Sequence, residues 1–82
     1  MPESRISQPA HYAIHIKEQI PSRWSMWFEG LKITDLGDEG CILSGPVVDQ
    51  SALHGLLAKV RDLNLTLVSV IQIENPKIVL LV

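Results

Sequence analysis

His54 and Arg61 are the two side chains whose types and spacing best suit chemistry. At 100° per residue they fall near one line of a helix, with Ala58 close by and Leu53 one step round the wheel. An imidazole beside a guanidinium can accept a proton while the guanidinium holds an anionic substrate. Nucleophilic catalysis needs more than this pair. No Ser, Cys or Asp stands where it would complete a triad. The same two residues suit the rim of a binding surface, and that reading asks less of the sequence.

Gly55 follows His54 and falls away from the apolar stripe of its helix. Glycine there costs about 1 kcal/mol relative to alanine, and it marks a place where another chain's backbone can come close. Trp24, Trp27 and Phe28 recur at i, i+3 and i+4, which is one helical face. Such a trio can stack on a flat ligand. In so small a domain the expected role is core, with one indole reaching a groove rim. Trp24, Trp27, His54, Gly55 and Arg61 are thus the candidate rim residues. His11 and His15 lie four apart on a strand, about 13 Å at ~3.3 Å per residue, too far to share one ion. Asp38 and Glu39 sit in a turn between Gly37 and Gly40, where two acids would repel a phosphate. No metal and no cofactor is expected.

These residues must be held by elements that the hydrophobic pattern defines. Residues 11–20 alternate, with Tyr12, Ile14, Ile16 and Ile20 on one side, which predicts a strand. Pro21-Ser22 opens a short helix around the aromatics, with Ser22 as a cap and Gly30 as its αL stop. Leu31–Thr34 and Cys41–Ser44 read as the arms of a hairpin, and Gly45-Pro46 ends its ladder because proline has no N–H to donate. Asp49 is the expected cap of a second helix, with Ser51 as a competing choice; if Asp49 caps, Val48 and Leu53 take the two positions of a hydrophobic staple. Leu53, Leu56, Leu57, Val60 and Leu63 form its apolar stripe, and Asn64 terminates it. Leu65–Ile73 is the last strand, apolar on both sides, with Leu65, Leu67, Ile71 and Ile73 opposed to Val68 and Val70. The order β-α-β-β-α-β predicts an α+β, ferredoxin-like fold, a four-stranded antiparallel sheet with two helices on one face. Residues 1–10 are expected as a flexible arm, 11–74 as the domain and 75–82 as an apolar tail.

Composition bounds the function. The chain has 82 residues, 46% hydrophobic and 20% charged, with a formal net charge of −2. That is one domain, too apolar for disorder. With no Lys/Arg cluster, nucleic acid is not an expected partner. No apolar run approaches the ~20 residues of a membrane span, and no apolar leader opens the chain. The single cysteine, Cys41, fits a reducing cytoplasm.

Arg23-Trp24-Ser25, Trp27-Phe28, Gly45-Pro46-Val47-Val48-Asp49-Gln50, Ala52-Leu53-His54-Gly55-Leu56-Leu57 and Val60-Arg61-Asp62-Leu63 through Ser69-Val70 form a signature. It resembles that of a family of small, uncharacterised bacterial proteins. The likeness covers roughly residues 12–73 and implies no activity, ligand or catalytic residue. Where those proteins tend to carry glycine after Arg-Asp-Leu this chain has Asn64, and both tolerate αL. Residues 78–82 fall outside the pattern.

The functional expectation comes from surplus apolar surface. An uncovered sheet face, a two-sided last strand and the tail predict a non-catalytic interaction module that forms a homodimer. Its expected interface residues are Val68, Val70, Ile78 and Leu80. A larger protein partner, docked by strand addition, would use the same edge. The alternative is a small cofactor-independent enzyme or ligand-binding protein, with a pocket near His54 and Arg61.

Overall fold

Alternation in the sequence becomes a sheet with one covered face. The computed structural model describes residues 10–73, so the expected arm and tail lie outside the described residues. In chain order come β1 (Ala10–Ile16), a 3-10 helix (Ser22–Phe28), β2 (Lys32–Asp35), β3 (Cys41–Val47), α1 (Gln50–Asp62) and β4 (Leu67–Ile73). A single 3-10 turn, Gly37–Glu39, joins β2 to β3. The fold is α+β, with four antiparallel strands in the order β2-β3-β1-β4 and two helices. The first and last strands are neighbours, and β4 forms one edge.

Register decides what each face carries. Ile14 of β1 stands opposite Leu43 of β3 and Val70 of β4, and Ile16 stands opposite Cys41. Directly opposed residues point to the same side. That side meets Phe28, Leu31, Leu53, Leu56 and Val60 in one buried cluster. Each such side chain contributes about 1.5–3 kcal/mol on leaving water. No polar or charged residue is buried among the described residues.

Asp49 caps α1 as its position predicts, accepting the Ala52 N–H through Oδ1 at 2.8 Å. The helix ends in a Schellman arrangement. Leu65 N–H donates to Val60 O and Asn64 N–H to Arg61 O, with Asn64 at φ 60°. The staple does not form, because Val48 is 60% exposed.

Four local features depart from the pattern. First, β1 stops at Ile16, short of residue 20. Its exit is pinned by long-range bonds: Lys17 N–H donates to Thr66 O at 2.9 Å. The Glu18 carboxylate accepts from both the Thr66 N–H and its hydroxyl, each at 2.7 Å. Those two bonds hold the Glu18 carboxyl below its usual range. Ile20 is nonetheless buried in the loop beyond.

Second, the aromatic helix is 3-10, with 120° per residue instead of 100°. Trp24 and Trp27 then eclipse one another, and Phe28 turns away toward the core. Phe28 is fully buried while Trp24 and Trp27 are 37% and 49% exposed, so the three do not form a common core face. Ser22 makes no capping bond, and Pro21 precedes the helix. Glu29 enters the left-handed region at φ 59°, ahead of Gly30.

Third, β3 runs through Pro46 to Val47. β2 pairs only as far as Ser44, so β3 has no neighbour on that flank where the proline sits, the setting in which a sheet tolerates it. Gly45 takes φ 151°, a conformation that L side chains rarely adopt, and a Cβ there would lie 2.8 Å from Leu31 Cδ2.

Fourth, β4 carries a bulge. His15 pairs with Ser69 and Ile16 with Leu67, leaving Val68 as the extra residue. The bulge puts Leu67 out of step with Ile71 and Ile73, with which simple alternation grouped it.

Candidate functional site

Three places on this scaffold could engage something. One is a groove of roughly 400 Å³ between the β3–α1 corner and the end of the 3-10 helix. Pro46, Val47, Val48, Ala52, Gly55 and Leu56 make its apolar lining. Lys59 and Glu29 complete it. The Lys59 ammonium donates to Glu29 Oε2 at 2.7 Å and to the Trp27 carbonyl at 2.9 Å. It also stands 5.2 Å from the Trp27 ring centroid, a cation–π distance. This pair ties α1 to the 3-10 helix from residues 30 apart, a separation at which sequence spacing carries no signal. Sequence reasoning missed both Lys59 and Glu29.

A smaller groove of roughly 200 Å³ lies on the other side of the aromatic helix, lined by Gln19, Ile20, Pro21, Trp24, Leu63 and Leu65. Trp24 lines this groove, whereas Trp27 lines neither and faces the Lys59 ammonium.

His54 and Arg61 line neither groove. Both are exposed on the outer side of α1, and Arg61 is engaged by Asp62 at 3.3 Å. Of the candidate rim residues, Gly55 lines the large groove and Trp24 the small one, while Trp27, His54 and Arg61 line neither. Among the described residues no three His, Cys, Asp or Glu side chains group to hold an ion. His15 Nε2 is hydrogen-bonded to the Glu39 carbonyl oxygen at 2.8 Å. Cys41 is fully buried, and loss of water around it pushes its thiol above the ordinary range, leaving it a poor nucleophile.

The third place is β4 with the sheet face that no helix covers. Val70 turns inward and packs against the core, while Leu67, Val68 and Ile71 are exposed at 44%, 52% and 56%. Ile71 and Ile73 share the open face with Ala13, His11 and His15 of β1. Ser44, Ile42 and Pro46 of β3 and Lys32 and Thr34 of β2 complete it. That face is mixed in character, and its apolar part leans toward β4. Of the four expected interface residues, Val68 is free to be touched, Val70 serves the core, and Ile78 and Leu80 lie outside the described residues.

One four-stranded antiparallel sheet with a 3-10 helix and an α-helix defines a small α+β domain. The chain belongs to the family described as Domain of unknown function (DUF8691), which it matches over residues 11–71. No curated protein and no solved structure matches it. Among the described residues no helix is long and apolar enough to cross a membrane.

Proposed function

We propose that this chain is a non-catalytic protein-interaction module that works by associating with itself in the cytoplasm. The observation that carries the reading is the character of β4. It is an edge strand of sequence Leu-Val-Ser-Val-Ile-Gln-Ile, without charge or proline, and three of its side chains are large, apolar and exposed. Natural edge strands are blunted by lysine, proline or short length. Among the described residues this edge meets no further strand, and an edge bare over this length suits pairing with another strand. The ferredoxin-like reading of the fold supports this. The order β2-β3-β1-β4 is what a split βαβ chain produces, and it leaves the last strand at an edge. The competing reading, a small enzyme or ligand-binding protein centred on His54 and Arg61, draws nothing from the geometry of those two side chains.

Light scattering on the eluting peak at tens of micromolar tests the proposal. The expected mass is twice that of the 9.1 kDa chain. Ile71→Lys, at an exposed position where a charge costs the monomer little, should return the protein to monomer mass with its circular dichroism unchanged. A wild-type monomer at that concentration would reject self-association.

A further inference from the structure

We infer that two copies join β4 to β4, antiparallel, about a two-fold axis at Ile71, so that the sheet runs on from one copy into the other. This rests on the self-association reading and chooses between two ways of achieving it. Stacking the open faces of two sheets is the other way, and the composition of that face opposes it. A stack would cover Lys32, His11, His15, Thr34, Ser44 and Ser69 together with the apolar residues. Burying a charged ammonium without a partner costs far more than the isoleucines return.

The two edges of the sheet are not equivalent. β2 is four residues long and ends in Lys32 and Asp35, both exposed. Two copies paired there would have to accommodate those charges at the seam. β4 is seven residues long and bears none. The bulge at Val68 twists the start of β4 away from regular pairing, as edge bulges do. What remains regular is Ser69–Ile73, five residues whose midpoint is Ile71. An isologous contact of greatest overlap therefore places Ile71 opposite the second copy's Ile71. Ser69 then faces the other copy's Ile73, and Val70 faces its Gln72. The most exposed apolar side chain on the strand is the one covered by its own image.

Cysteine cross-linking distinguishes the modes. Directly opposed residues of an antiparallel pair hold their Cβ atoms about 4.5–5.5 Å apart, close enough for a disulfide with slight adjustment. Ile71→Cys is compared with Ile42→Cys, which lies in the middle of the open face on β3. The native Cys41 is fully buried and remains silent in both. After mild copper–phenanthroline oxidation of dimeric protein, Ile71→Cys should convert to covalent dimer and Ile42→Cys should stay monomeric on a denaturing gel. A scattering dimer that links through Ile42→Cys, or that fails to link through Ile71→Cys, overturns the edge pairing and leaves self-association standing. A monomer by scattering rejects both together.

Discussion

Three glycines meet three different surroundings, and the contrast separates folding from function at the level of single atoms. At Gly40, with φ 95°, a Cβ would fall 2.0 Å from the Ile16 carbonyl oxygen and 2.5 Å from that of Lys17. Backbone atoms cannot yield that far, so Gly40→Ala should cost more than about 3 kcal/mol and leave little folded protein. Gly45 is tight as well, but against a leucine methyl that can shift. Gly55 is the opposite case. Its φ is ordinary, and nothing lies within 4 Å of the position a Cβ would take. Gly55→Ala should therefore stabilise the fold by about 0.5–1 kcal/mol, read as a higher urea midpoint with an unchanged slope. Gly55 lines the helix-side groove, away from β4. The same variant should keep wild-type mass by light scattering; a monomer would move the interface from β4 to α1.

At the scale of elements, the aromatic 3-10 helix divides structural from surface roles within seven residues. Phe28 is fully buried in the common core cluster, and removing its ring leaves a cavity worth about 3–5 kcal/mol. A domain of this size has little more than that to lose. Phe28→Ala should unfold the chain, whereas Trp24→Ala should shift its urea midpoint only slightly. Equal losses would place the indole in the core after all. This division was not legible in the sequence, because i, i+3, i+4 spacing names a common face only at 100° per residue. The signals that were legible are local and strong. Asp49, the Leu53–Leu63 stripe and Asn64 fix α1 from cap to terminator without outside help. The signals that failed depend on a neighbour. Pro46 reads as a strand end until the short reach of β2 is known, and the Val68 bulge depends on how β4 pairs with β1. The Lys59–Glu29 tie follows from chain segments meeting, so no spacing could reveal it. His54 and Arg61 fall on α1 as their spacing predicts, yet they line neither described groove, because a groove depends on elements remote in sequence.

Among the described residues the exposed large apolar side chains fall into two groups. Trp24, Met26, Trp27 and Val48 lie on the helical layer, and Leu67, Val68 and Ile71 lie on β4. The helical group is broken up by Lys59 and Glu29, which are satisfied by each other. The β4 group has no such relief, and a strand edge adds unpaired backbone donors and acceptors to it. This locates the surplus that composition alone could only total, and it lies within the described residues. The family match also ends at residue 71, at the centre of the proposed seam. The proposed contact uses Ser69–Ile73 and calls on none of residues 75–82. A chain shortened by Asn75–Val82 should remain a dimer by light scattering at tens of micromolar, and in it Ile71→Cys should still cross-link. Should shortening yield a monomer with unchanged circular dichroism, the seam would belong to residues 75–82, and β4 would be only the strand that leads to them.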